Sequence, residues 1–513
     1  MGTPTEQKAS SLEEEVENRS ETEMPAPPST PIILTTLNAR YRHAAFGLRC
    51  LKANLGELAG HCRIMEFDIH HRPLDIAEAI LHHHPAIVGI GVAIWNLEPV
   101  TQLLGLLKTL SPQTILVLGG PEAGHAPSTA PWHTPADLII TGEGEVAFRD
   151  FCREFLNHRA PLPANKRIIA PPIDLARSNL PYFLYDENDL KNRFTYVEAS
   201  RGCPYGCSFC LSADDAPIRT VSMEPFLAAM DDLLERGARQ FKFVDRTFNL
   251  HTATATTILD FFLQRWRPGL FLHFEMIPDR LPLPLKERLI AFPKGGIQLE
   301  IGLQTFDSQT QKRIYRSQDN AEAESNLAWL RTHTQVHLHT DLVFGLPGES
   351  FASMGRGFDR LLRLQPQEIQ VGILKRLHGT KLARQKTSHA MVYNPFPPYE
   401  ILSNDQIDFA TTQRLRRFSR YWDLIGNSGR FPHLIDWLRG TPSPFALFLQ
   451  LSDWIFATTG QTHQIALPRL FKLAYQGLIE AIKLDPSQAH EILEQDWHAS
   501  GHGDRHTPLG TWH

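Results

Sequence analysis

The sequence of 513 residues lacks several features that would assign it to a specialised class of protein. It has no run of 18 or more uncharged apolar residues, so no segment is predicted to span a membrane. Lys and Arg (51) do not outnumber Asp and Glu (56), which argues against nucleic acid as a partner. The N-terminus has no charged stretch followed by an apolar core and a small-residue cleavage site. These absences predict a globular cytoplasmic protein.

Cysteine is also scarce, and its distribution is uneven. The chain has six cysteines, too few for a disulfide scaffold, which favours a reducing compartment. Three of them, Cys203, Cys207 and Cys210, lie within eight residues. The sequence therefore indicates a shared chemical role for these three thiols.

The N-terminal third is predicted to form an α/β domain. Residues 1–30 are rich in Glu, Ser, Thr and Pro and hold few large apolar residues, so we expect a disordered tail. Residues 31–160 alternate short apolar runs with helical spacing, which predicts a doubly wound, Rossmann-like domain. Such sheets bind ligands at the carboxyl ends of their strands. The predicted strands are 32–37, 63–68, 87–93, 115–118 and 138–140.

The remainder of the chain is predicted to form a linker and two further domains. Residues 161–194 are Pro-rich without a sustained period, as in a surface linker. Residues 195–385 alternate strand and helix patterns again, and six βα units predict a partial (β/α)6 barrel. Strand signals vanish in residues 386–513, where we predict a helical domain with helices at 406–424, 431–439 and 467–484.

The three clustered cysteines follow the first predicted strand of the barrel, in Arg-Gly-Cys-Pro-Tyr-Gly-Cys-Ser-Phe-Cys. Three thiolates on one loop can bind three irons of a 4Fe-4S cluster and leave the fourth iron open for another ligand. A structural zinc loop would need a fourth ligand, and no other cysteine forms a second knuckle. The loop therefore favours an iron–sulfur site.

This loop at the start of a partial barrel resembles the radical S-adenosylmethionine (SAM) superfamily. The resemblance implies that SAM binds the open iron and is cleaved by electron transfer to a 5′-deoxyadenosyl radical. It also implies an electron donor such as flavodoxin or ferredoxin.

Later strands resemble oxygen-independent coproporphyrinogen dehydrogenases, which contact SAM through residues on successive strands. The resemblance implies this role for Glu275, Gln304, Arg316 and Asp341, and an adenine contact for Phe209. The second strand departs from the usual Gly-Gly-Glu, and Asp245 is the candidate there, with Arg246 facing substrate or cobalamin as the alternative. Each of these residues also has a plain interpretation, because a single polar residue at a strand end is often solvated or capping.

The strand-end loops of the first domain are Gly-rich, including Leu-Gly-Gly-Pro-Glu and Thr-Gly-Glu-Gly-Glu. Placed before such a barrel, they resemble the cobalamin-binding domain of cobalamin-dependent radical SAM enzymes. The Asp-x-His-x-x-Gly motif is absent, so we expect His43 to line the pocket or a phosphate and cobalt to lack a protein ligand below. The expected cobalamin-binding residues are Asn38, Tyr41, His43, Trp95, Gly119, Gly120, Glu122, Thr141, Gly142, Glu143 and Gly144.

By resemblance, the two cofactors imply methylation of an unactivated carbon. The alternatives are an anaerobic ring-forming oxidoreductase, a radical rearrangement, or a cobalamin sensor without catalysis. A methylthiotransferase would need three further cysteines on strand-end loops of the first domain, and Cys50, Cys62 and Cys152 do not lie there. The substrate, a small molecule or a peptide, is not specified by any motif.

Overall fold

The computed structural model describes residues 30–125, 130, 134–158, 161–214, 217–384 and 389–502. The predicted tail at 1–30 lies outside this part of the chain, except for Thr30. Within these residues no helix has both the length and the hydropathy needed to cross a bilayer.

The first part of the described chain forms a parallel sheet of six strands in the order β2-β1-β3-β4-β5-β6. Helices cover both faces, so the sheet is enclosed by two apolar clusters, as expected for parallel strands. The strands are β1 (Ile32–Asn38), β2 (Cys62–Asp68), β3 (Ile87–Gly91), β4 (Ile115–Gly119), β5 (Leu138–Gly142) and β6 (Arg167–Ala170). The α-helices are α1 (Phe46–Ala53), α2 (Pro73–Leu81), α3 (Leu97–Leu110), α4 (Pro121–His125), α5 (Gly144–His158) and α6 (Glu187–Asn192).

A second parallel sheet, with six strands in the described residues, follows in the order β14-β13-β12-β11-β10-β7. Each strand pairs with its neighbour in sequence, and the sheet has two edges, as in a partial barrel. The strands, with a short β8–β9 pair, are β7 (Thr195–Val197), β8 (Ser200–Arg201), β9 (Arg219–Thr220), β10 (Gln240–Phe243), β11 (Phe271–Met276), β12 (Ile297–Gln304), β13 (His337–Phe344) and β14 (Glu368–Ile373). The helices are α7 (Met223–Glu235), α8 (Thr252–Gln264), α9 (Leu283–Ala291), α10 (Ser308–Arg313), α11 (Asn320–His333), α12 (Phe351–Arg363) and α13 (Lys381–Arg384).

The C-terminal region is mainly helical and shares its core with the barrel. Phe358 of the barrel packs edge-to-face against Phe418, with ring centroids 5.0 Å apart, and Trp422 packs the same way against Phe448 at 5.0 Å. These contacts pack the helices against the barrel, and the side chains of Asn427 and Ser419 hydrogen-bond the backbone of Ile369 and Val371 along the free edge of β14. The elements are β15 (Val392–Tyr393), β16 (Ile401–Ser403), α14 (Phe409–Ile425), α15 (Pro432–Arg439), α16 (Pro444–Thr459), α17 (Leu467–Glu480) and α18 (Pro486–Trp497).

The predicted fold class is confirmed, and two of the differences from the sequence pattern concern short strands. The segment expected as a linker contributes β6, which pairs with β5 through residues 139–142. The C-terminal region contains a short antiparallel pair, β15 and β16, where we expected no strand. Both differences involve strands of two to four residues, too short to show a period.

Barrel strands β12 and β13 alternate strictly between buried and half-buried positions. The buried residues face the covering helices and the half-buried ones face the barrel interior. Because side chains alternate along a strand, polar residues at every second position meet on the inner wall. This alternation places the inward residues of β12 and β13 at one site.

Candidate functional site

A cavity of about 160 Å³ lies at the carboxyl end of the barrel. Cys203, Cys207 and Cys210 line it, and all three thiols are free. Burial raises the pKa of the Cys203 and Cys210 thiols, so a bound metal would be needed to hold them as thiolates at neutral pH.

The cysteine loop is fastened on both sides by backbone hydrogen bonds. Ser208 donates to the carbonyl of Ile314 at 2.9 Å, and Leu382 donates to the carbonyl of Ser208 at 2.7 Å. In the described part of the chain, no three His, Cys, Asp or Glu side chains converge on one point as a single metal ion would require. The three free thiols of the loop could each bind one iron of a cluster.

Five predicted SAM contacts line the same cavity: Phe209, Glu275, Gln304, Arg316 and Asp341. Gln304 ends β12 at a β-bulge with φ of 67°, a strained conformation that turns its side chain at the cavity rim. The Arg316 guanidinium lies 3.7 Å from the Cys207 sulfur and donates to the carbonyl of Gly302. The structure thus gathers these residues beside the thiols, and their contact with SAM stays a prediction.

Asp245 is an exception. Its buried carboxylate accepts hydrogen bonds from the Ala199 amide at 3.0 Å and the Ser200 hydroxyl at 2.6 Å. Burial raises the pKa of this carboxyl to about 7. Among the described residues that line the cavity, Arg246 and Thr247 are present and Asp245 is not. The Asp245 side chain thus faces the β7–β8 segment while Arg246 lines the cavity, and the contact of Asp245 with SAM stays a prediction.

Two charged residues of the cavity were missed as SAM-site candidates. Arg246 donates to Glu275 at 3.0 Å, and Glu300 lies 2.9 Å from the Nε2 atom of His273. Burial would raise the pKa of Glu300, but its hydrogen bond with His273 and the charges of Lys242 and His339 lower it to about 2. Glu300 precedes Gln304 by four residues, an even spacing that places both on the same face of β12. This spacing was the signal in the sequence that could have identified Glu300.

A second cavity, of about 720 Å³, lies at the carboxyl ends of the strands of the first sheet. Much of its wall is apolar or glycine. A Cβ built at Gly47 would meet no described atom within 4 Å, so glycine there leaves the cavity open. Eight predicted cobalamin-binding residues line it: Asn38, His43, Trp95, Gly119, Gly120, Gly142, Glu143 and Gly144.

Two of these glycines are required by the backbone itself. Gly120 and Gly142 have φ of 95° and 90°. A Cβ at Gly120 would lie 2.6 Å from the carbonyl oxygen of Val92, and one at Gly142 would lie 2.4 Å from that of Ala170. The two turns at the cavity floor can therefore be made only with glycine.

Three predicted cobalamin-binding residues, Tyr41, Glu122 and Thr141, are not among the described residues lining this cavity. Tyr41 is about half exposed, beneath the Arg193 guanidinium. The Thr141 hydroxyl donates to the carbonyl of Gly124 at 3.2 Å. Each of these side chains has partners outside the cavity wall, and its contact with cobalamin stays a prediction.

Glu122 instead joins the first domain to the residues after the barrel. Its buried carboxylate accepts a hydrogen bond from the Tyr399 hydroxyl at 2.7 Å and lies 2.8 Å from Nδ1 of His378. Burial and Glu122 together raise the pKa of Tyr399. Glu122 therefore holds two parts of the chain together.

His43 lines the large cavity beside the barrel. Its Nδ1 atom lies 2.6 Å from the Tyr196 hydroxyl on β7. Burial lowers the pKa of His43, and the nearby cations Lys242, Arg40 and Arg42 lower it further. The imidazole is therefore neutral near pH 7.

Arg201 lies between the two cavities along the chain. This residue lines the large cavity, and Cys203, two positions later, lines the small one. The Arg201 guanidinium contacts Glu198 at 2.8 Å and Glu145 of the first domain at 2.9 Å. These carboxylates raise the pKa of Arg201 despite its burial. The charged contact fixes the first domain against the cysteine loop.

A second arginine reinforces the contact. Glu143 lies 2.5 Å from Arg219 and 3.2 Å from Arg201. Burial would raise the pKa of Glu143, but hydrogen bonds and these two cations lower it overall.

Comparison with protein families gives three matches in chain order. A B12 binding domain model matches residues 32–151, and a radical SAM superfamily model matches residues 197–359. The chain is a radical SAM protein with a B12-binding domain. A model described as a protein of unknown function, DUF4080, matches residues 387–509 of this radical SAM protein.

A curated relative and two solved structures illustrate the similarity. The 2-(S-pantetheinyl)-carbapenam-3-carboxylate methyltransferase of Streptantibioticus cattleyicolor is 24% identical over 312 residues, 54% of this chain and 45% of the relative. The chain spans less than half the length of the first curated relatives that it matches.

The structure of TsrM from Kitasatospora setae, a radical SAM methyltransferase with cobalamin and a [4Fe-4S] cluster bound, has a TM-score of 0.59 at 15% identity. The match covers 92% of this chain and 100% of that chain. OxsB, a cobalamin-dependent SAM radical enzyme with aqua-cobalamin and SAM bound, has a TM-score of 0.62 at 14% identity over 91% of this chain and 78% of that chain. At these identities, the likeness establishes the shared fold.

Proposed function

We propose that this protein is a cobalamin-dependent radical SAM enzyme that methylates an unactivated carbon of a small molecule. The observation that carries the proposal is the placement of Arg201, which lines the large cavity, pairs with Glu145 of the first domain and stands two residues before Cys203 of the small cavity. A methyl carrier in one cavity and a radical source in the other would share one substrate only if the cavities adjoin. Relatives named as methyltransferases agree with this chemistry.

The chain's residues suit both ligands. Cys203, Cys207 and Cys210 would hold the cluster, which when bound supplies the electron that cleaves SAM. Arg316 can pair with the SAM carboxylate through two parallel hydrogen bonds. The open space beside Gly47 and the two glycine turns would admit a flat corrinoid, which carries the methyl group.

Neutral His43 belongs to the same proposal. Its Nδ1 atom is engaged by Tyr196, so the imidazole has a fixed orientation at the cavity wall. We propose that it would contact the corrinoid periphery rather than serve as a ligand to cobalt. An electron carrier such as flavodoxin or ferredoxin would reduce the cluster.

The test is anaerobic reconstitution of the full chain with iron, sulfide and hydroxocobalamin, followed by SAM and a reductant. We expect bound corrinoid in the visible spectrum and formation of both 5′-deoxyadenosine and S-adenosylhomocysteine. The matched control is the triple variant Cys203→Ala, Cys207→Ala, Cys210→Ala, which should form no 5′-deoxyadenosine.

Other results would contradict the proposal in distinct ways. Formation of 5′-deoxyadenosine without S-adenosylhomocysteine would favour ring formation or rearrangement. Bound corrinoid and a formed cluster with neither product, tested against a panel of amino acid and carboxylic acid substrates, would favour a sensor.

A further inference from the structure

A layer of charged side chains crosses the barrel interior beneath the small cavity. Strand pairing sets Glu300 of β12 opposite His339 of β13, and His339 opposite Glu368 of β14. All three positions point inward, because they occupy the half-buried positions of their strands. Opposite charges are therefore neighbours across three strands.

His339 contacts two carboxylates at once. Its Nδ1 atom lies 2.9 Å from Oε2 of Glu368, and its Nε2 atom lies 3.3 Å from Oδ1 of Asp341. The other Glu368 oxygen, Oε1, is 3.0 Å from Nε2 of His337. His337 thus shares Glu368 with His339 but has no recorded contact with Asp341 in the described part of the chain.

Asp341 depends on this neighbour for its orientation. Its Oδ1 atom is buried and has no well-formed hydrogen bond within the described residues, so the His339 ion pair is the close contact that holds it. A buried carboxylate oxygen without an opposing charge is costly. The carboxylate also lines the small cavity.

The imidazole is cationic near neutral pH. Burial would lower the pKa of His339, but Asp341 and Glu368 raise it to about 10. The pKa of Glu368 falls to about 2 through its contacts with His337 and His339. The pair His339 and Glu368 is therefore a fixed ion pair behind Asp341.

We propose that His339 is a positioning residue that orients the Asp341 carboxylate toward the ribose hydroxyls of SAM. The inference rests on the proposed function, in which Asp341 contacts SAM. With Oδ1 of Asp341 held by His339, the other oxygen, Oδ2, has a fixed direction in which to accept a hydrogen bond from a hydroxyl. His339 fixes that direction from the side opposite the ligand, without touching the ligand itself.

The experiment measures the binding of S-adenosylhomocysteine to anaerobically reconstituted protein by titration calorimetry. His339→Gln should raise Kd about tenfold, the size expected for one charge-assisted hydrogen bond. Asp341→Asn should have a similar effect. The matched control, His337→Gln, removes the other partner of Glu368 and should change Kd less than twofold.

A double-variant cycle separates positioning from general loss of structure. In the Asp341→Asn background, His339→Gln should cause no further rise in Kd, because the two residues act through one contact. Iron content and melting temperature verify that each variant is folded and loaded. If His339→Gln does not fold, His339→Lys keeps the cation and should keep Kd within about threefold of the wild type, since the ion pair is retained.

Three results overturn the inference: an unchanged Kd for His339→Gln, an equal rise for His337→Gln, or additive losses in the double variant. A wild-type protein that carries the cluster and yet does not bind S-adenosylhomocysteine would instead contradict the proposed function. The two failures are therefore distinguishable.

Discussion

The two cavities of this protein differ in size and in the chemistry of their walls. The larger, of about 720 Å³, is formed mainly by strand-end glycines and apolar side chains of the first domain. The smaller, of about 160 Å³, is lined by Arg246, Glu275, Glu300, Arg316 and Asp341 as well as the three cysteines. The larger cavity therefore offers space and a close approach to the backbone, whereas the smaller cavity offers paired charged side chains.

The boundary between them is itself charged. Arg201 is contacted by Glu198 from the barrel and by Glu143 and Glu145 from the first domain. Opposite charges on the two domains restrict their relative orientation more tightly than apolar contact would, because each donor and acceptor has a preferred direction. The two dissimilar cavities are thereby kept adjacent.

The largest effect is expected from a variant that removes the cluster ligands of the small cavity and leaves the large cavity intact. Replacing Cys203, Cys207 and Cys210 with Ala removes every thiolate of the loop, so iron and sulfide after reconstitution should fall to background. Bound hydroxocobalamin, measured by absorbance, should be unchanged. Cys152→Ala, in the core of the first domain, is the control and should retain iron. Loss of corrinoid in the triple variant would show that the two sites depend on each other.

The next largest effect is expected from a variant that removes the charged contact between the first domain and the barrel. Arg201→Gln leaves three mostly buried carboxylates without their shared cation, and we expect a loss of about 3–5 kcal/mol of unfolding free energy. Chemical denaturation measures it. Arg153→Gln is the control, because its partner Glu57 is exposed and the pair should contribute little. Equal losses in the two variants would mean that the boundary charges do not join the domains.

A smaller effect is expected from a variant that fills part of the large cavity and leaves the small cavity intact. Gly47→Leu places a side chain in the open space, and overpacking of about 1–3 kcal/mol corresponds to a roughly 5- to 150-fold weaker corrinoid affinity. Gly105→Leu, on an exposed position of α3, is the control. Retained affinity in Gly47→Leu, with an unchanged melting temperature, would place the corrinoid elsewhere.

The smallest effect concerns Asp245, outside the small cavity. Its carboxyl has a pKa of 3.8 when unfolded and about 7 when folded, so the folded state binds the extra proton between these values. Unfolding free energy should therefore fall as pH rises from about 4 to about 7, by linkage. Asp245→Asn removes this dependence. Parallel stability curves for wild type and variant over that range would contradict the assignment.

Some predicted features needed only the order of residues along the chain. The spacing of Cys203, Cys207 and Cys210 is local, so the loop and its chemistry were predictable without the fold. The alternation of βα units likewise predicted both parallel sheets, because the hydrophobic period of a strand or a helix can be recognised within a short stretch of sequence. The strand-end glycines belong here as well, since Gly120 and Gly142 make turns that other residues cannot.

Other features depended on contacts between distant segments. Glu122 and Thr141 were expected at the large cavity from their loops, yet the structure engages both elsewhere. Asp245 and Arg246 are neighbours in sequence and face different surroundings. Glu300 and His339 became a pair only when β12 and β13 aligned.

The sequence by itself determined which elements form and where chemistry is available, because backbone periodicity, turn glycines and ligand spacing act within a few residues of each other. Only the tertiary structure decided which side chains share a cavity, which join the domains and which carboxylate has an imidazole behind it. Those outcomes depend on the register of neighbouring strands and on the direction of a side chain just past a strand end. A shift of one residue in the strand register moves a side chain to the opposite face of the sheet.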